Sequence, residues 1–351
     1  MDFKSKKKAR SGKTSKKKIL SGRFMVISGI IFMSFAILIY AFNTVTPNRP
    51  VGNGDVVIDF EIPVGVGPGS VGRNLESAGI IRNADFFRWM LRITGRAEKI
   101  KTGLYELDDG MTAMKVIDII TEGRVQTSSL TIPEGWNNRQ IGEYLTEKGY
   151  VADKDEFIRI TKDKAVLKEF NIWADSTEGY LYPDTYVVPK RYPAEKIHRT
   201  MLNHFFEKLK EAEIPEQITP ARLHDRIILA SIIEREAVHP DELPVMASVF
   251  LNRVNKKMRL ESCATVQYLL PNPKKKLYEK DLLVKSPYNT YLHRGMPPGP
   301  ISNPGFPAIR AAFHPAETEY LFFVLMPKEG RHHFSNNYSE HLRAKKKYLG
   351  N

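Results

Sequence analysis

Residues 222–240 read RLHDRIILASIIEREAVHP, an apolar run from Ile227 to Ile233 that ends on two glutamates, Glu234 and Glu236. A helix turns about 100° per residue, so Glu234 follows the direction of Ile227 to within about 20°, while Glu236 points about 200° away from Glu234. Only one of the two carboxyls can therefore face a given surface. A carboxyl at the tip of a buried helix loses hydration, which disfavours its ionised form and raises its pKa. A glutamate that keeps its proton near neutral pH suits general-acid catalysis. The competing reading is structural: a helix-terminal charge paired with Arg235 or Arg253.

Other residues suit a carbohydrate. SPYNTY supplies Tyr288, Asn289, Thr290 and Tyr291, and EGYLYPDTY supplies Tyr180, Tyr182, Asp184 and Tyr186. Aromatic faces pack on sugar rings and amides bond hydroxyls, although an aromatic in a turn also serves as a loop anchor. Tyr288, Asn289 and Tyr291 are the candidate sugar contacts, with Asn289 suited to an acetamido group. Other chemistries find less support. The nine histidines form no H-E-x-x-H or similar ligand pattern, so no metal is expected, and no cofactor. There is no G-x-S-x-G elbow and no phosphate-binding G-x-x-x-x-G-K. Cys263, the single cysteine, rules out an internal disulfide, and no histidine can be assigned to it as a nucleophile's partner.

These residues must be held by a sizeable body, and 351 residues with 42% hydrophobic content provide one or two domains. The formal charge of +13 is unevenly spread, since ten Lys/Arg against one acid, Asp2, fall within residues 1–23. That tail abuts FMVISGIIFMSFAILIYAF, Phe24–Phe42, which has no charged residue. Such a run is long enough for a hydrocarbon core of roughly 30 Å, longer than a signal-peptide core, and is followed by no clear A-x-A site. An uncleaved anchor over 24–43 is expected, with the basic tail 1–23 in the cytoplasm and the rest exported. A nucleic-acid role for the tail is the weaker alternative, and none is assigned.

Residues 44–54 read as a linker. The segment 55–125 reads as a small α+β module: a strand near VVIDFEI, two short helices, a second strand, a turn at Asp109-Gly110 and a further helix. The segment 126–351 reads as a larger α+β domain. It opens with a strand, turn and helix over SSLTIPEGWNNRQIGEYLTEKG, continues through several helices, and closes on a strand pair at EYLFFVLMP and RHHFSNN. STEGYLYPDTYVVPK looks too irregular for one regular element. No long-period repeat is present.

Seven separated segments, EGYLYPDTY, LASIIEREA, ASVFLNRV, MRLESCATVQY, SPYNTY, GMPPGPISNPG and AAFHP, together resemble the YceG-like endolytic murein transglycosylases, over essentially the whole chain. The resemblance implies a single-pass membrane protein with its enzyme on the outer face. It also implies a LysM-like peptidoglycan-binding module at 55–125 and an α+β catalytic domain with lysozyme-like features at 126–351. The implied reaction cuts the β-1,4 bond between N-acetylmuramic acid and N-acetylglucosamine in nascent glycan strands, leaving a 1,6-anhydro end, beside the peptidoglycan polymerases. The family's catalytic glutamate falls on Glu234, and Glu236 takes a supporting or structural place and is counted with the substrate-binding candidates. One departure is visible: where members read R-L-Q-x-D-P-T-V this chain has Glu261 for Gln and Cys263-Ala264 for Asp-Pro, so no functional acid is carried over there. Two alternatives stay open, a true muramidase using Glu178, Asp184 or Glu236 as a second carboxylate, and an inactive peptidoglycan-binding scaffold.

Overall fold

The computed structural model describes residues 28–42, 47–215, 217–274 and 276–350. The basic tail, residues 24–27 and 43 of the expected anchor, and 44–46 of the linker lie outside them. Residues 28–42 form a helix, α1, whose large hydrophobics between Ile30 and Tyr40, Phe32 and Leu38 among them, are exposed. Among the described residues no helix is long and apolar enough to cross a membrane. Two compact units divide the chain, 1–126 and 127–351.

The first unit pairs β1 (Val57–Ile62) antiparallel with β2 (Gly103–Asp108), Phe60 facing Tyr105. Between the strands run α2 (Pro68–Ser77) and α3 (Ala84–Ile93), and α4 (Ala113–Glu122) follows β2. Local chemistry sets these ends. Asn83 accepts from the Phe86 N–H and Thr112 from that of Lys115, while Gly123 ends α4 in the left-handed region. Phe87, Met90 and Leu91, on one face of α3, join Leu75, Tyr105 and Ile117 in the core.

The second unit is mostly helical. It begins with β3 (Thr127–Thr131), α5 (Asn138–Glu147), α6 (Lys154–Thr161) and α7 (Lys164–Glu169). β4 (Thr185–Pro189) then pairs antiparallel with β3, Leu130 opposite Tyr186. The long helices α8 (Ala194–Glu211) and α9 (Pro220–Glu236) follow, then α10 (Leu243–Asn255), α11 (Cys263–Leu269) and α12 (Phe306–Phe313). The hairpin of β5 (Phe322–Met326) and β6 (Arg331–Ser335) and the helix α13 (Tyr338–Leu349) close the chain. The stretch expected to be irregular thus contains a strand, with Tyr186 and Val188 buried and Val187 exposed. The small helices α7 and α11 and the terminal α13 are additions to the expected elements.

α9 is the axis of this unit. Thr219 caps it through the Arg222 N–H, Pro220 opens it, and all residues from Ile227 to Ile233 are buried. Ser231 is the one polar member of that run, and it is used twice. Its Oγ accepts from the Ile301 N–H at 3.0 Å, and its carbonyl accepts from the Ser302 hydroxyl at 3.0 Å. The loop before α12 is thereby sewn onto α9.

The next residue, Asn303, ties that loop to the rest. Its Oδ1 accepts from the N–H groups of Gly179 and Leu181, both at 2.9 Å, and its Nδ2 donates to the Trp136 carbonyl at 3.0 Å and Asn138 Oδ1 at 3.2 Å. Its backbone carbonyl accepts from the Gly135 N–H at 2.9 Å. Gly179 sits at φ +87°, where a Cβ would come within 2.6 Å of Pro300 and 2.9 Å of Ile227.

Two outcomes follow for the full chain in urea unfolding. Gly179→Ala combines left-handed strain with overpacking and lowers stability by roughly 3 kcal/mol. Asn303→Ala strands several buried backbone groups and costs about 3 kcal/mol. A wild-type midpoint in either variant would show that the loop is not held this way.

Candidate active site

Glu234 lies two residues before the end of α9, half-buried. Its Oε2 accepts from the Gly305 N–H at 3.1 Å, and Gly305 is the N-cap residue of α12. Burial pushes the Glu234 carboxyl up to about 7; the Gly305 bond opposes the rise, Glu134 adds to it and Arg235 opposes it. Among the described residues no cation lies within ion-pair distance of Glu234. Arg235 instead donates to the Gly135 carbonyl at 3.3 Å. Arg253 is occupied by the carbonyls of Leu321, Arg259 and Leu260 and by Glu261. Neither arginine of the structural alternative neutralises the acid.

Glu236 points elsewhere, as the helix angle requires. Its Oε1 accepts from the Ser262 hydroxyl at 2.5 Å and the Ala264 N–H at 3.3 Å, fastening α9 to the start of α11. Burial pushes its carboxyl up, and the bonds from Ser262 and Ala264 oppose that. Tyr291 stands beside this junction, its hydroxyl 3.1 Å from Cys263 Sγ. Burial pushes the Tyr291 phenol up, with Cys263 and the Glu236 charge adding to the rise.

Tyr288 packs against Tyr268 with ring centroids 5.3 Å apart, and its hydroxyl rests on Gly299, where a Cβ would stand 2.7 Å away. Tyr268 in turn reaches Glu178 Oε2 at 3.4 Å. Asn289 is a correction to the expected sugar contacts. It is fully buried, donates to the carbonyls of Leu282 and Val284 at 2.9 and 2.8 Å, and accepts from the Tyr291 N–H at 3.0 Å. An amide so committed holds its loop and presents nothing to solvent.

The other acids weighed as a second carboxylate are also placed. Glu178 is buried at the start of α5, where both oxygens accept from the Asn138 N–H at 3.0 and 3.2 Å and Asn303 Nδ2 lies 3.4 Å from Oε1. Burial pushes it up to about 8, opposed by the bonds from the Asn138 N–H and the Tyr268 hydroxyl and by the Arg139 charge. With both oxygens facing protein donors, it anchors the fold. Asp184 is exposed, accepts from its neighbour's N–H at 2.7 Å and lies 3.6 Å from His204.

The structure adds Glu134, absent from the sequence-based candidates. It sits on the turn after β3, exposed, with its carboxyl packed on Gly305, and Gly135 beside it lies along the Glu234 side chain. The signal was present in IPEGW, an acid before a glycine and an aromatic between strand and helix, but nothing local tied that turn to residue 305. Nearby, Gly135, Asn137, Gln140, Arg235, Gln267 and Tyr268 line a polar depression. Tyr268 also borders a second one with Asn138, Arg139, Lys162, Ser176 and Glu178.

Comparison with known proteins identifies the family. The sequence pattern of the YceG-like family matches residues 60–347. An endolytic murein transglycosylase of Bacillus subtilis is 30% identical over 312 residues, covering 83% of this chain and 85% of that protein. One from Streptococcus pneumoniae is 25% identical over 321 residues, and this chain spans 58% of its length. The crystal structure of a yceG-like protein from Listeria monocytogenes, 31% identical, superposes with a TM-score of 0.56 over 83% of this chain and 99% of that one. The protein is a member of the YceG-like family.

Proposed function

We propose that the chain is an endolytic lytic transglycosylase of peptidoglycan, cutting the bond between N-acetylmuramic acid and N-acetylglucosamine with Glu234 as acid and then base. One observation carries the reading. In a chain whose relatives bear the name endolytic murein transglycosylase, the acid at the tip of the buried helix is half-dehydrated, bound to a backbone N–H and unpaired with any described cation. Protonated Glu234 gives its proton to the glycosidic oxygen as the bond breaks. The carboxylate left behind takes the proton of the muramic acid's own C6 hydroxyl, whose oxygen closes on C1. An intramolecular nucleophile has a high effective molarity, so no bound water need be activated. Ordinary glycoside hydrolysis uses two carboxylates flanking the bond. The engagement of Glu178 with protein donors favours the one-acid reading over a muramidase that uses it.

Tyr288 and Tyr291 remain the sugar-contact candidates, Tyr288 beside the Tyr268 depressions and Tyr291 beside Glu236. The first unit's strand–helix–helix–strand order supports a LysM-like glycan-binding module. Exposed apolar side chains along α1, together with the uncharged residues 24–27 before it, support an anchor over 24–43, with the basic tail inside and residues 55–351 on the outer face. Placed there, the enzyme meets nascent strands beside the polymerases and ends their growth.

Two measurements on the full chain check the reading. Glu234→Gln keeps the shape and removes the proton, so release of anhydro-muramyl fragments falls by about a hundredfold or more with the unfolding midpoint retained. Wild-type release after Glu234→Gln, or reducing-end products from the wild type, sinks it. The active form is the protonated acid, which is lost as pH rises through the raised pKa of about 7. Turnover therefore holds level on the acid side and declines about tenfold per pH unit above that point. A rate that climbs through neutrality contradicts the assignment.

A further inference from the structure

Gly305 is in contact with two carboxyls. It donates its N–H to Glu234 Oε2 at 3.1 Å, and the Glu134 carboxyl fills the space where a Cβ of residue 305 would stand. With φ at −75°, Gly305 has no conformational need to be glycine. The requirement comes from the approach of Glu134, which any side chain at 305 would expel. The following residue, Gly135, has φ +75°, and a Cβ on it would lie 3.6 Å from Glu234 Cγ. The turn carrying Glu134 thus runs along the acid itself. Glu134 is exposed and makes no ion pair among the described residues, so its negative charge is left uncompensated at short range.

We propose that Glu134 is a positioning residue for the general acid: its negative charge, held across Gly305, discourages a second charge on Glu234 and keeps the proton there until the glycosidic oxygen takes it. The inference rests on Glu234 being the acid. Like charges in one site keep one carboxyl protonated, and the effect is larger where the second group is partly dehydrated. The other charged neighbours are few. From α9 itself, Arg235 opposes the effect, with its guanidinium on the Gly135 carbonyl. From the segment before β4, the Tyr182 hydroxyl feels both Glu134 and Asp184, and from α8 it feels Lys208 and Glu211. The first turn of α12, residues 305–309, brings no titratable group. Glu134 is therefore the acidic neighbour that Glu234 meets, and the rise in its pKa owes a share to it after burial.

The test is the pH profile of fragment release by the full chain carrying Glu134→Gln, with Glu134→Asp as the charge-retaining control. Removing the charge lowers the pKa of Glu234, so the alkaline limb moves down by about half a unit to one unit, and release at pH 8, taken as a fraction of each enzyme's own plateau, is about three- to tenfold lower than in the wild type. Glu134→Asp keeps the limb near the wild-type position. A wild-type limb in Glu134→Gln, or equal displacement in both variants, overturns the proposal. If Glu134→Gln is too slow to profile, titration of the Glu234 side-chain carboxyl followed by carbon NMR reads the same displacement, and an unmoved midpoint overturns it equally. Reducing-end products lost with Glu134→Gln would instead mark Glu134 as a base for water and overturn both this inference and the lytic reading. Anhydro products with an unmoved limb would remove this inference alone.

Discussion

The attachment of the Ile301–Asn303 segment to α9 is the constraint on which the second unit depends. Ser231 interrupts an otherwise apolar run and spends its hydroxyl and its carbonyl on Ile301 and Ser302. Asn303 then satisfies backbone groups of the 179–181 turn with its oxygen and of the Trp136 turn with its nitrogen. A buried amide with both ends used fixes three chain segments in one arrangement, and leaving any of those groups unpaired would be costly. Gly305 follows two residues later, so the same attachment sets where its N–H points and therefore where Glu234 rests.

The acids around this clamp show how environment divides labour among identical side chains. Glu178, Glu234 and Glu236 are all pushed up by burial. Glu178 faces the first turn of α5 and the amide of Asn303, and Glu236 faces the start of α11. Both are surrounded by protein donors and join elements together. Glu234 has one backbone donor and a carboxylate neighbour, an arrangement that favours holding a proton over balancing a charge. Chemistry is available only where the protein leaves part of the carboxyl's hydrogen-bonding capacity unused.

Much of this was legible in the sequence because the governing signals were local. The apolar run before Glu234, the turn at Asp109-Gly110 and the closing strand pair each lie within a few residues. The opposition of Glu234 and Glu236 followed from helical geometry alone. What escaped depends on distant partners. β4 was obscured because its partner β3 lies more than fifty residues earlier, and its tyrosines and proline look like a loop until Leu130 and Tyr186 face each other. Asn289 was assigned by residue type to sugar recognition, and only the fold shows that its amide is consumed by Leu282 and Val284. Glu134 needed knowledge of Gly305, on the far side of the unit in sequence. α7, α11 and α13 are short or strongly charged helices whose apolar periodicity is too weak to stand out.

The bond between the Gly135 N–H and the Asn303 carbonyl, 2.9 Å long, joins residues separated by about three quarters of the second unit's sequence. Contacts of such long range form late, because the intervening chain must be ordered before they close. While the polypeptide is being made, the segment bearing Glu234 is synthesised before the loop that holds its carboxyl. The surroundings of Glu234 therefore come into being only when the final third of the chain has arrived, and a half-finished molecule would lack the blade proposed for it.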